Sequence, residues 1–191
     1  MADQALGRTL PRPELVVLDR DGVINRESER LVLAVDDWRP IDGSLEAIAR
    51  LSTAGLRLAI ATNQSAVGRG WLATDTLDSI HRRMLDEISA AGGRIERVAV
   101  CPHAPGDGCS CRKPAPGLLL ELGRTLDVAP GRMLFVGDAV RDLEAAAAAG
   151  AVGVLVRTGK GAAHVAAGEV DADVPLFDDL AAVAAALLAD R

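Results

Sequence analysis

Short apolar runs at 14–18, 56–61, 98–101, 133–136 and 152–156 alternate with stretches of helical periodicity at 43–54, 74–91, 116–126 and 140–149. Brief apolar runs bounded by turn residues read as strands buried on both faces. Strands alternating with helices lead to a parallel sheet covered on both sides, the doubly wound α/β architecture. Ser44, Asp75 and Asp138 stand near the expected helix starts, and Gly55, Gly92 and Gly150 near the stops. A last helix at about 180–189 closes the chain.

At 191 residues and 49% hydrophobic content, the chain can bury one full core. Aromatics are scarce, so Ala, Val, Leu and Ile must build the interior. The interval 62–113 holds one helix, one strand and a loop, which leaves no room for a substantial inserted cap domain. Residues 1–13, "MADQALGRTLPRP", read as a polar, mobile tail without a targeting segment, and 14–191 as the domain. The longest apolar runs, 145–149 and 181–189, fall short of the ~18 residues a membrane span needs. A net charge of −6 argues against nucleic acid as a partner. Three cysteines, an odd count, fit poorly with a disulfide framework. A soluble cytoplasmic monomer is expected.

Open α/β sheets bind ligands at the carboxyl ends of their strands. Asp19 and Asp21 follow the first expected strand, Thr62 and Asn63 the second, and Asp138 the fourth, while Lys113 lies in the loop after the third. These residues should meet in one crevice. A buried carboxylate must be paired, hydrogen-bonded or metal-bound, so two carboxylates in "DRDG" need a reward. Alone, such a pair could merely terminate a strand, Thr62 could cap a helix, and Lys113 could be a solvated charge. Asp142 lies in the first turn of an expected helix, where negative charge is favoured.

The loop "CPHAPGDGCSC" carries Cys101, His103, Cys109 and Cys111. Three thiolates and one imidazole form the soft four-ligand set of a closed, structural Zn²⁺ site. Cys109 and Cys111 are too near in sequence for an easy disulfide. The loop runs directly into Arg112 and Lys113, so a zinc clamp would hold both in place. His81 and His164 lack such company and read as ordinary surface or helix residues. Trp38 and Trp71 read as packing residues, with Trp71 near enough to the crevice to line it.

Four segments in order, "DRDGVIN" (19–25), "TNQS" (62–65), "RKP" (112–114) and "GDAVRD" (137–142), resemble the motifs of haloacid dehalogenase superfamily phosphatases. Within that superfamily, the cysteine loop and "IARLSTAGLRLAIATNQS" are most similar to the heptose bisphosphate phosphatases. The histidinol-phosphate phosphatases are the next nearest group. The resemblance implies that Asp19 attacks phosphorus to form an aspartyl-phosphate. It implies Mg²⁺ held by the Asp19 and Asp138 carboxylates and the Asp21 backbone carbonyl. The Asp21 side chain is then left to act as general acid and base.

Thr62 and Lys113 would complete the catalytic set, with Asn63, Gln64, Ser65, Arg112, Glu27 and Arg30 as substrate contacts. The implied substrate is a small sugar phosphate, a heptose 1,7-bisphosphate cleaved at its 7-phosphate. Asp142 could also support the metal through water. Related phosphatases carry the same zinc loop. Two departures bear on the distal part of the substrate: Ala139 where relatives often have lysine, with Arg141 nearby, and "RESER" (26–30) in the loop after the first motif. Competing expectations are a histidinol-phosphate phosphatase and a catalytically silent, zinc-stabilised binding module.

Overall fold

The computed structural model of the chain describes residues 10–26 and 31–189. Its elements run β1 (Leu15–Leu18), α1 (Ser44–Thr53), β2 (Arg57–Asn63), α2 (Ser65–Gly68), α3 (Thr74–Ala90), β3 (Arg97–Cys101), α4 (Gly117–Leu126), β4 (Met133–Gly137), α5 (Val140–Ala149), β5 (Val152–Val156), α6 (Gly161–Ala166), β6 (Leu176–Phe177) and α7 (Leu180–Leu188). Short 3₁₀ turns at Val35–Asp37 and Pro130–Arg132 complete it. The sheet is parallel throughout, in the order β3-β2-β1-β4-β5-β6. Leu18 pairs with Ile60 on one side and Val136 on the other, so β1 is central. The chain moves outward from β1 to β3 and then crosses back to β4. The reversal places a switch point at the carboxyl ends of β1 and β4.

Alternation along each strand divides the interior in two. Val16, Leu18, Leu58, Ile60, Leu134 and Val136 face one way and pack with Ile48 and Leu51 of α1, Ile80 and Met84 of α3 and Val183 of α7. Leu15, Val17, Ala59, Ala61, Met133 and Phe135 face the other way, against Leu118 and Leu122 of α4 and Ala145 and Ala146 of α5. Small alanines on that second side let helices approach closely where aromatics are scarce.

All five expected strands form, with Thr62 and Asn63 as the last residues of β2 rather than residues beyond it. The stops at Gly55, Gly92 and Gly150 hold, each with positive φ. The starts differ in chemistry. Ser44 is the first residue of α1 and donates its hydroxyl to the Ile24 carbonyl at 2.8 Å instead of capping. Ahead of α5, Ala139 occupies the cap position and Asp142 accepts from its N–H at 3.1 Å. β6 and α6 lack a sequence signal: one is a two-residue edge strand, the other a six-residue helix without apolar periodicity. Of the stretch expected as a tail, residues 1–9 lie outside the described residues, and Leu10 is buried in the core. Among the described residues, no helix is long and apolar enough to cross a membrane.

Candidate active site

Asp19 stands one residue past β1 and is 3% exposed. Its carboxylate meets the Lys113 ammonium at 2.9 Å, and the same ammonium lies 2.7 Å from Asp142 and donates to the Ala61 carbonyl at 3.1 Å. Burial alone would lower the Lys113 pKa. Asp142 and Asp19 outweigh burial and raise its pKa, so the charge stays. Burial pushes Asp19 up to about 6; Lys113 pulls it back, while Asp142 and Asp21 push it further.

Asp138, at the end of β4, is fully buried and accepts from the Lys160 N–H at 2.9 Å. Two glycines close around it. A Cβ on Gly22 (φ +83) or Gly159 (φ +58) would lie 2.1 Å from its Oδ2. Thr158 ties the two loops together by donating its hydroxyl to the Gly22 carbonyl at 2.6 Å. Oxygens of Asp19, Asp138 and Asp142 all lie within 4.8 Å of one another. One ammonium against three carboxylates leaves net negative charge among hard oxygen donors, which suits Mg²⁺. Lys113 pairs with both Asp19 and Asp142, and all three carboxylates offer oxygen donors that fit the ion.

Asp21 is not a loose side chain. Arg20 grips it through Nε at 3.2 Å and Nη2 at 2.8 and 3.0 Å, Asn25 donates at 2.9 Å, and Gln64 donates to its second oxygen at 2.9 Å. Burial would raise its pKa, but the Arg20 charge and these donors hold it below the usual carboxylate range. Gln64 also donates to the Thr62 hydroxyl at 2.8 Å. Thr62 is fully buried and reaches the site through that amide; it does not line the crevice.

The crevice encloses about 160 Å³ beside Asp19 and Asp21, with Asn63, Gln64, Ser65, Arg112, Arg141 and Lys160 among its walls. Asn63 fixes the Lys113 backbone from both sides, donating to its carbonyl at 3.1 Å and accepting from its N–H at 3.2 Å. Arg112 donates to the His103 carbonyl at 3.2 Å, which binds the crevice wall to the cysteine loop. Glu27 and Arg30 lie outside the described residues.

In that loop the ligand atoms of Cys101, His103, Cys109 and Cys111 lie within 4.8 Å of one another. The Cys101–Cys109 sulfur separation is 3.7 Å and Cys101 Sγ to His103 Nδ1 is 3.6 Å. Tetrahedral Zn²⁺, with Zn–S of about 2.3 Å and Zn–N of about 2.0 Å, requires edges of about 3.8 and 3.5 Å. Burial, then the Cys111 sulfur, pushes the Cys101 thiol up to about 12; a thiolate there needs a cation beside it. The residues fit zinc.

Packing around the loop is close: a Cβ on Gly68 would meet Ala104 N at 2.6 Å, and one on Gly117 the Ser110 carbonyl at 2.3 Å. Protein purified without chelators should carry one zinc per chain by metal analysis. Cys109→Ser should lose the zinc and lower turnover more than thermal stability, because the sheet has its own core. A fully active, zinc-free Cys109→Ser would contradict this.

Two residues depart from the expectation. His81 is no ordinary helix residue: it is 8% exposed, and its Nε2 lies 3.2 Å from Arg20 Nη1. Burial, then the Arg20 charge, holds its pKa down to about 4 from the usual 6.5. The unfolded chain therefore takes up this proton at higher pH than the folded one. The stabilisation is complete above pH 6.5 and is lost as pH falls towards 4, on the order of 3 kcal/mol in total. His81→Gln should flatten the stability–pH curve in that window; an unchanged slope in denaturant titrations would count against it. Trp71 is 58% exposed with Arg69 stacked over its ring at 4.8 Å, and it does not line the crevice. Asp142 stands in the first turn of α5 as expected, where it accepts from the Ala139 N–H, and it also pairs with Lys113. Trp38 is a packing residue as expected, and His164 pairs with Glu169 on the surface. Sequence reading missed Arg20, whose only signal was a cation between two aspartates, and the Thr158–Lys160 loop, which had none.

The family model described as HAD-hydrolase-like matches residues 110–183. The chain is 47% identical over 174 residues to the D-glycero-beta-D-manno-heptose-1,7-bisphosphate 7-phosphatase of Pseudomonas aeruginosa, covering 91% of this chain and 97% of that one. The crystal structure of D,D-heptose 1,7-bisphosphate phosphatase from Bordetella bronchiseptica, complexed with magnesium and phosphate, superposes with a TM-score of 0.89 at 44% identity. It covers 93% of this chain and 99% of that one. The enzyme of the same name from Burkholderia thailandensis gives 0.70 at 40% identity, over 89% and 95% of the two chains.

Proposed function

We propose, from the premise that this chain belongs to the heptose 1,7-bisphosphate 7-phosphatase family of HAD-like hydrolases, that it removes the 7-phosphate of D-glycero-D-manno-heptose 1,7-bisphosphate. The observation that carries the reading is the buried Asp19 carboxylate at a crevice, 2.9 Å from a buried lysine and beside Asp138.

Asp19 attacks phosphorus in line. An oxygen–phosphorus bond forms to its carboxylate and the bond to the sugar oxygen breaks. Asp21 gives a proton to the departing alkoxide, then takes one from the water that releases phosphate from Asp19. The Asp21 carboxylate must be protonated for the first of these steps, and the incoming phosphate dianion favours that by opposing its negative charge. Lys113 balances the charge of Asp19 and then of the phosphoryl oxygens, with Asp142 fixing its direction. Mg²⁺, held by the Asp19 and Asp138 carboxylates and the Asp21 carbonyl, would offset the charge of the phosphate.

Asn63 and Ser65 border the phosphate, while Thr62 and Gln64 brace Asp21. Arg112, anchored on the zinc loop, offers a planar fork to the sugar or remote phosphate. Three cysteines kept unbridged suit a reducing compartment, which supports the cytoplasm.

The test is a phosphate-release screen with Mg²⁺ over heptose 1,7-bisphosphate, histidinol phosphate and nucleotides. The highest kcat/KM should fall on the heptose bisphosphate, leaving heptose 1-phosphate. Preference for histidinol phosphate would replace the substrate, and no hydrolysis of any would leave a binding module.

A further inference from the structure

The Arg20 guanidinium is 1% exposed, and the proposed phosphoryl transfer gives it no bond to make or break. It is used up on two neighbours. One edge, Nε and Nη2, faces the Asp21 carboxylate, and Nη1 faces His81 Nε2 at 3.2 Å. A guanidinium can only donate, so His81 Nε2 must be the bare, accepting nitrogen of a neutral ring. The depressed pKa of His81 agrees with that state. His81 lies in the seventeen-residue α3 on the same buried side as Leu77, Ile80 and Met84. A core helix thus holds an arginine at a fixed angle, and the arginine holds Asp21.

We infer that His81 and Arg20 are positioning residues for the phosphoryl-transfer reaction, forming a rigid relay from α3 that aims the Asp21 carboxyl at the leaving oxygen. The inference rests on the proposed role of Asp21 as general acid. A bidentate grip fixes the plane of the carboxylate, which a single hydrogen bond cannot. Without His81, the Nη1 side of the buried guanidinium loses its acceptor and the fork can turn about Cδ–Nε. Asn25 and Gln64 would still hold Asp21 nearby, so the loss is of direction and not of presence. Misplacing a catalytic group by about 1 Å can cost on the order of 10²-fold.

Leaving-group chemistry separates this role from a structural one. A primary alkyl phosphate expels a strongly basic alkoxide and needs the proton from Asp21. Para-nitrophenyl phosphate expels a stable phenolate and does not. The value of kcat/KM reports steps up to the first phosphoryl transfer, before water enters. His81→Leu should therefore lower kcat/KM for the alkyl sugar phosphate about ten- to hundredfold and leave that for the aryl phosphate within about threefold. His81→Gln, whose amide oxygen can accept from Arg20, should restore most of the difference.

Arg20→Lys keeps the charge and lacks the fork. It should show the same contrast, and it decides the matter if His81→Leu does not fold. Equal losses on both substrates, or no loss on either, would overturn the relay. Asp21→Asn run alongside separates the two failures. If it shows the alkyl–aryl contrast and the His81 and Arg20 variants do not, only the relay is wrong; if it shows none, the acid role of Asp21 falls and the relay with it.

Discussion

Asp19→Asn is expected to fold normally and to lose phosphatase activity by on the order of 10⁴-fold or more, the scale seen when a covalent nucleophile is removed. Asparagine keeps the volume and can still accept from the Lys113 ammonium, 2.9 Å away. It cannot form the acyl phosphate. Because burial already disfavours the charge on Asp19, neutralising it should change stability by no more than about 1 kcal/mol. Lys113 keeps its partner Asp142 at 2.7 Å. Urea denaturation and phosphate release on the same preparation check both halves. Residual activity within tenfold of wild type would remove Asp19 from the chemistry.

Lys113→Met should behave differently, losing both activity and stability. The ammonium is the shared countercharge of two carboxylates that are almost fully buried. Breaking a buried ion group by removing one partner typically costs about 3–5 kcal/mol, since the remaining charge has no compensation. Activity should fall at least about 10²-fold, because both the phosphoryl oxygens and Asp19 lose their cation. Adding Asp142→Asn to Lys113→Met removes one stranded carboxylate, so the double variant should regain part of the stability and none of the activity. A double-mutant cycle with no coupling would mean that the 2.7 Å contact carries no energy.

The contrast between these residues shows what a one-dimensional chain displays. Asp19 and Asp138 were legible because each follows a short apolar run, and a strand end is where such a sheet gathers its ligands. The zinc ligands were legible because all four lie within eleven residues of one loop. Lys113 could be placed in the crevice, but not its division between Asp19 and Asp142, which depends on how α5 meets the strand ends. His81 was read as ordinary because nothing near it in sequence is unusual; its partner Arg20 is 61 residues away. The grip on Asp21 came from residues on two segments, Arg20 and Asn25 in one and Gln64 in the other, and no spacing rule encodes it. Elements were lost for a related reason. β6 joins the sheet by pairing with β5, Leu155 opposite Leu176 and Val156 opposite Phe177, and two residues carry no period.

The central claim is that Asp19 carries the phosphoryl group. The direct measurement is mass spectrometry of Asp21→Asn quenched in acid during reaction, with Mg²⁺, of para-nitrophenyl phosphate, whose leaving group needs no proton from Asp21. Without the Asp21 carboxylate the water that releases phosphate is not activated, so the intermediate should accumulate. The expected result is one phosphoryl group on the peptide that contains Asp19, released by hydroxylamine as an acyl phosphate is. Turnover with no phosphorylated peptide, or with the phosphoryl group on any other residue, would contradict it.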